Sequence, residues 1–191
     1  MVDQLVPFPA GRQRVHGGAV GIRRGRARID PVQIITAPLA QLDVVIAYGV
    51  WKLRQDVFVV EQDCPYHDLD GRDVEPGAVQ VVLLAEAAPD SVSDGGTRVL
   101  GTARVLDDGD VWRIGRVALA KEARGKGLSD DVMRAAIEYI EDAGDGRDIV
   151  LDAQSPLTRW YGKHGFVADG DEFLDDGIPH TPMRRTVHAS A

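Results

Sequence analysis

The chain has 191 residues, 44% of them hydrophobic, which is enough apolar material for one well-packed domain. Its formal net charge of -8 argues against a general nucleic-acid binder, because such a protein needs a basic surface to neutralise phosphates. The single cysteine, Cys64, cannot form an internal disulfide, so we expect a reducing compartment, the cytoplasm.

The first 31 residues differ in charge from the rest of the chain. They contain six arginines and two aspartates, a charge of +4, so the remainder carries -12. Because this segment is rich in glycine and arginine and lacks apolar periodicity, we predict a flexible arm at 1–31 and a single domain at 32–191. The arm is either a leader without a chemical role or a segment that docks on the acidic body or on a partner. No apolar run approaches the length of a membrane span, so we expect no membrane partner.

From residue 32 onward the apolar pattern becomes regular. A short strand at 32–35 and an amphipathic helix, apolar from Leu42 to Val57, precede a polar loop that follows Glu61. Three strand candidates come next, at 79–85, 99–106 and 111–120. Their connections, at 89–96 and 107–110, have the composition of turns, so we predict an antiparallel meander.

The order of elements changes after residue 120. A glycine-containing turn leads into a helix at 128–140, a strand at 149–153, a helix at 157–164 and strand-like sequence from Phe166. Strand, helix and strand in succession indicate a parallel crossover. We therefore predict an α/β (α+β) fold: a mixed, mostly antiparallel central sheet flanked by helices, with the parallel crossover beginning at the turn.

The turn at 124–129 is the strongest candidate for a binding site. A strand that turns through glycines into a helix leaves backbone N–H groups unpaired in the positive field of the helix dipole, which favours an anion such as a pyrophosphate. Arg124 and Lys126 add positive charge, while Gly125 and Gly127 allow a ligand to approach closely. The turn matches neither the Walker motif nor the nicotinamide dinucleotide fingerprint, whose third glycine is replaced by Asp130.

A different template fits this turn. Arg-x-x-Gly-x-Gly/Ala between a long strand and a long helix resembles the acyl-CoA loop of the GNAT superfamily of N-acetyltransferases; Arg124, Gly127 and Ser129 occupy its defining positions, with serine in place of glycine or alanine. Leu-Thr-Arg-Trp-Tyr-Gly-Lys-His-Gly-Phe at 157–166 looks like the final helix of that superfamily. Four more segments look like its ElaA-like branch, and the resemblance covers about residues 38–185. These segments are 58–66, 68–73, 114–117 and 176–183.

The resemblance implies transfer of an acetyl group from acetyl-CoA, a co-substrate, to an amine. The backbone of Val117, Ala118 and Leu119 would pair with the pantetheine amides. Tyr161 matches the tyrosine that commonly stands near the CoA sulfur, where a phenol can protonate the departing thiolate. The pyrophosphate would be held by Arg124, Gly125, Lys126, Gly127, Leu128 and Ser129.

The general base is not singled out by the sequence. Glu61, His67, Asp68, Asp70 and His180 all lie in segments that resemble family motifs, and each could take a proton from the amine. A histidine suits neutral pH by its unperturbed pKa. The carboxylates have two other roles open to them, attraction of a cationic amine and hydrogen bonding that holds the loop together.

The remaining features leave several alternatives. We expect Cys64 to be a small buried residue rather than a nucleophile. We expect no metal, since the five histidines are scattered and no zinc-ligand spacing occurs. Arg113 and Arg116 are expected to contact CoA or an acidic residue, or to lie on a solvated face. A non-catalytic acyl-CoA-binding or interaction module, or a site for another nucleotide, is the alternative to an enzyme. The acceptor amine, the acyl chain length and the oligomeric state, a homodimer included, stay open.

Overall fold

The computed structural model describes residues 32–86 and 96–187. The predicted arm at 1–31, most of the connection at 89–96 and the last four residues lie outside the described residues, so the domain boundary at residue 31 stays a prediction. The described strands are β1 Val32–Ala37, β2 Val79–Glu86, β3 Thr97–Asp107, β4 Trp112–Leu119, β5 Ile149–Gln154, β6 Val167–Ala168, β7 Phe173–Asp175 and β8 Ile178–Arg185. The described α-helices are α1 Val44–Arg54, α2 Leu128–Ala143 and α3 Thr158–Gly162.

All the described strands belong to one sheet, with the order β1-β2-β3-β4-β5-β8-β6 and β7 paired to β8. Strands β2, β3 and β4 form the predicted antiparallel meander. Strands β4 and β5 are parallel and are connected through α2, whereas the other neighbouring strands are antiparallel. The predicted mixed sheet with a parallel crossover is therefore confirmed.

Helices cover both faces of the sheet, and the side-chain alternation of β2 shows how. Val81 and Leu83 point to one face, where they join the core cluster that contains Met133 of α2. Val82 points to the other face and packs with Val50 of α1. Because successive strand residues point to opposite faces, a strand covered on both sides is apolar at every position, as β2 nearly is.

The ends of the helices follow from local chemistry. The Asp43 side chain caps α1 by accepting a hydrogen bond from the Val45 N–H at 2.8 Å. Beyond Arg54 this helix widens into a π-helix at Gln55–Glu61, a feature that the apolar spacing did not predict. Helix α2 ends at Gly144, whose φ of 69° suits the left-handed cap.

Helix α3 is shorter than the predicted 157–164. The chain first makes a 3-10 turn at Ser155–Leu157, with Pro156 in its first positions, and the α-helix then covers Thr158–Gly162. The next residues continue as turns that end at Gly165, which has a φ of 85°. A proline at the start and a left-handed glycine at the end account for the shortening.

Candidate active site

Strands β4 and β5 separate soon after they begin. They pair only at Trp112 with Ile149 and at Arg113 with Val150. Farther along, β4 stays paired to β3, while β5 stays paired to β8. Among the described residues, the edge of β4 that faces β5 therefore has no strand partner at Val117–Leu119, the segment expected to pair with pantetheine. A cavity of about 900 Å³ occupies the gap.

A β-bulge in β4 lies beside this gap. Thr102 of β3 faces Ala118, but Arg104 faces Gly115, so β4 has an extra residue between these pairs. Arg116 adopts a φ of 52°, a left-handed conformation that is uncommon for arginine. Such a bulge bends its strand and redirects a side chain, and here the bulge lies where β4 diverges from β5.

The Arg116 side chain is paired with acidic residues, which is one of the alternatives expected for it. Its Nε lies 2.8 Å from Asp68 and its Nη2 lies 3.2 Å from Asp70. The guanidinium also lies 5.4 Å from the centre of the Tyr66 ring. Arg113 is paired in the same way, because Asp108 and Asp152 accept hydrogen bonds from it.

The turn before α2 is the predicted anion cradle, and its residues 124–127 are exposed. Gly125 and Gly127 have φ values of 71° and 80°, and a Cβ built on either would meet nothing within 4 Å. Gly127 is the N-cap of α2 and has no side chain to accept hydrogen bonds from the first turn. The first N–H groups of a helix lack partners within the helix and lie in the positive field of its dipole, which suits this end of α2 to an anion.

The structure brings two predicted site residues, Glu61 and Arg124, into direct contact. The Arg124 guanidinium donates to both carboxylate oxygens of Glu61, at 2.5 and 2.9 Å, and its Nε donates to the Leu119 carbonyl at 3.0 Å. The hydrogen bonds from Arg124 lower the pKa of Glu61. Glu61 is thus an ionised carboxylate that is bound to Arg124, the first residue of the glycine turn at 124–129.

Tyr161 lies on α3 and lines the cavity. Its ring packs edge-on against Trp160 and Phe166, and only 8% of the residue is exposed. Burial raises the pKa of Tyr161 to about 12. The hydroxyl donates no hydrogen bond to another described residue, so its proton is available to a ligand in the cavity.

His180 lies on β8, also lines the cavity, and pairs with Gln154 of β5. Its Nδ1 lies 2.9 Å from the Ile178 carbonyl oxygen. Because a carbonyl can only accept, this contact assigns the proton of the neutral imidazole to Nδ1. Nε2 is then the nitrogen that can accept a proton from a substrate.

The other predicted candidates for the base are placed differently. His67 is exposed and does not line the cavity. Asp68 is buried against Arg54, and Asp70 accepts two hydrogen bonds from Arg104, both at 2.7 Å. Burial raises the pKa of Asp70, but the hydrogen bonds from Arg104 and the Arg72 backbone outweigh it and hold that pKa well below its usual range. These aspartates have the structural role that was one of their alternatives.

Arg54 organises this loop, and the sequence reasoning missed it. Its side chain is fully buried and donates to the Asp68 side chain at 2.8 Å, to the Asp68 carbonyl at 2.9 Å and to Asp73 at 2.7 Å. The signal in the sequence was that Arg54 directly follows Leu53, an apolar position of the helix predicted to be amphipathic. A buried arginine needs buried carboxylates, and the loop that follows supplies them.

A second missed contact joins the start of α2, directly after the glycine turn, to the helix of Tyr161. Asp130, in the first turn of α2, accepts a hydrogen bond from the Trp160 indole at 2.7 Å and lies 3.2 Å from His164 Nε2. Burial raises the pKa of Asp130, but these two hydrogen bonds outweigh it and leave that pKa lowered. Trp160 precedes Tyr161 directly, so Asp130 fixes the position of α3.

Three smaller observations complete the site. Cys64 is buried, as expected, and its sulfur lies 3.7 Å from the Asp176 carbonyl oxygen. Within 32–86 and 96–187, no group of three or more histidine, cysteine or acidic residues is arranged to hold a metal ion. Over the same residues, no helix is long and apolar enough to cross a membrane.

Comparisons with known proteins agree with this geometry. The family model described as an acetyltransferase (GNAT) domain matches residues 81–187. The chain is 45% identical over 148 residues to UPF0039 protein Rv2851c of Mycobacterium tuberculosis, covering 75% of this chain and 86% of the relative. It is 30% identical over 151 residues to Protein ElaA of Escherichia coli, covering 78% and 92%.

Solved structures show the same fold. An acyl-CoA N-acyltransferase from Pseudomonas aeruginosa superposes with a TM-score of 0.71 at 33% identity, over 81% of this chain and 99% of that one. The crystal structure of E. coli ElaA gives a TM-score of 0.70 at 29% identity, over 81% and 99%. The chain therefore belongs to the GNAT superfamily of acyl-CoA-dependent N-acyltransferases, in its ElaA-like branch.

Proposed function

We propose that this protein transfers an acetyl group from acetyl-CoA to an amine by direct attack. The observation that carries the proposal is the gap between β4 and β5, which has Tyr161 and Arg124, the first residue of the glycine turn, in its lining. The free thiol of Cys64 is compatible with our proposal that the reaction takes place in the reducing cytoplasm.

The donor would lie along the unpaired edge of β4. Its pantetheine amides would hydrogen bond with the backbone of Val117–Leu119 as an added strand does. Its pyrophosphate would take the N–H groups of the turn from Gly125 to Ser129, with Lys126 adding positive charge. This arrangement would hold the thioester in the cavity, near Tyr161.

In the reaction the amine nitrogen attacks the thioester carbonyl carbon, forming the C–N bond, and the C–S bond breaks as the thiolate leaves. We assign the proton for the sulfur to Tyr161, which is fully protonated at neutral pH because its pKa is about 12. Because the pKa of Tyr161 is about 12, the phenolate that this transfer leaves is unfavourable at neutral pH. The proton lost by the amine must therefore return to Tyr161 through the base or solvent.

We assign the base to His180 rather than to Glu61 or His67. The His180 Nδ1 is engaged by the Ile178 carbonyl, which leaves Nε2 to accept the amine proton. Glu61 lies against Arg124, the first residue of the glycine turn, which places it beside the proposed pyrophosphate rather than the amine, and His67 lies away from the cavity lining. The proton taken up by His180 passes to the phenolate or to solvent, so the protein ends in its starting state.

The test is thiol release from acetyl-CoA in the presence of a panel of amines. We expect Tyr161→Phe to lower kcat by about 10- to 10⁴-fold with CoA binding largely kept, and His180→Gln to lower kcat as well. Tyr139→Phe, which removes the same hydroxyl from a residue on α2 outside the cavity lining, should retain wild-type turnover. Unchanged turnover in Tyr161→Phe would remove this residue from the chemistry. CoA binding without turnover of any amine would favour a non-catalytic acyl-CoA-binding module.

A further inference from the structure

The ion pair between Glu61 and Arg124 joins the last residue of the π-helix to the first residue of the phosphate turn. The Nη1 and Nη2 groups of Arg124 donate to the two carboxylate oxygens of Glu61. The remaining N–H, on Nε, donates to the Leu119 carbonyl. The forked edge of Arg124 therefore faces a carboxylate of its own chain. That same edge has the geometry that binds a phosphate.

The pair also forms part of a wall between two cavities. A second cavity, of about 920 Å³, lies between α1, the π-helix and the beginning of β3. Val57, Glu61 and Arg124 line both this cavity and the one between β4 and β5. A change in the pair would therefore alter the boundary of the donor site as well as its charge.

Glu61 and a pyrophosphate are anions that compete for the same cation. The side chains of Arg124 and Glu61 are 40% and 29% exposed, so solvent weakens their attraction. A pyrophosphate would have the advantage of the N–H groups and the dipole at the start of α2. The intramolecular pair is thus weak enough for a donor to displace it.

We propose that Glu61 is an internal competitor of the acyl-CoA pyrophosphate, which keeps Arg124 occupied until the donor arrives. This inference rests on the proposed function, since it requires acyl-CoA to bind at the turn. Donor binding then breaks the Glu61–Arg124 pair and frees the Glu61 side chain. In the free protein Glu61 lowers the affinity for the donor, and it is a regulator of binding rather than the base.

The experiment is isothermal titration of CoA into the full chain and its Glu61→Gln variant. Removing the competing charge should tighten CoA binding about two- to five-fold, the factor that corresponds to a solvent-exposed ion pair. Glu122→Gln is the matched control, because Glu122 is also an exposed carboxylate beside the turn but pairs with Arg98. We expect this control to change the dissociation constant less than two-fold. In an Arg124→Gln background, Glu61→Gln should have no further effect.

Two outcomes would overturn the inference while leaving the proposed function intact. Weaker CoA binding in Glu61→Gln would show that Glu61 braces Arg124 for the ligand. An effect equal to that of Glu122→Gln would show that only the general charge matters. If the wild-type protein bound no CoA, the proposed function would fail and this inference with it. Thermal melts of each variant identify any change that comes from folding.

Discussion

Replacement of Gly127 by alanine tests the phosphate turn with a single methyl group. Gly127 has a φ of 80°, and a left-handed conformation costs an L-residue about 1–2 kcal/mol. The new Cβ would meet nothing within 4 Å, so no clash is added, and the reduced entropy of the unfolded chain returns about 0.4–1 kcal/mol. We therefore expect a net loss of about 1 kcal/mol in the free energy of unfolding, or a decrease of about 2–4 °C in Tm.

CoA affinity should fall much more than stability does, because the methyl group occupies space that the pyrophosphate needs. We expect the Kd for CoA, measured by isothermal titration, to rise at least about ten-fold, which corresponds to about 1.4 kcal/mol. Gly144→Ala provides the control: Gly144 caps the other end of α2 with a φ of 69° and also has nothing within 4 Å. It should lower Tm by a similar amount and leave CoA binding unchanged. Equal CoA affinities in the two variants would refute the assignment of the turn.

Three further predictions concern the buried charges, the α2–α3 contact and the pH profile. Arg54→Met should cost about 3–5 kcal/mol in urea unfolding, because it leaves two buried carboxylates without their cation, and an unchanged midpoint would contradict this. Asp130→Ala releases the Trp160 indole, so it should lower kcat strongly and change the KM for the donor only slightly. Asp130→Asn keeps a hydrogen-bond acceptor and should retain most of the activity. Since the pKa of Tyr161 is about 12, the phenol stays protonated as pH rises to 10, and the pH profile of kcat should have no descending limb from it. A decrease in kcat between pH 8 and 10 that Tyr161→Phe abolishes would contradict this.

The features that the sequence predicted are those with local signals. The apolar periods and turn residues predicted the meander of β2, β3 and β4, and the glycines predicted a turn between β4 and α2. Each of these signals lies within a few residues of the feature that it predicts. The sequence therefore predicted the strands and the turn on which the proposed donor site lies, while the binding of a donor there stays a prediction.

The contacts that the sequence did not predict join residues that are distant along the chain. Arg54 meets Asp73 across 19 positions, Trp160 meets Asp130 across 30, and Arg124 meets Glu61 across 63. No period or spacing in one sequence specifies which of many charged residues will pair. The bulge at Arg116 has a similar origin, because its φ of 52° goes against the preference of arginine and reflects the surrounding sheet.

The measurement that tests the central claim most directly is amide hydrogen exchange of the full chain with and without CoA. If the donor lies in the gap between β4 and β5, exchange should slow at 117–119 and at 125–129. It should stay unchanged at 45–48, a segment of α1 in which Val45, Ile46 and Tyr48 line the second cavity. Slower exchange at 45–48 without any change at 117–119 would place the ligand in the second cavity and contradict the account.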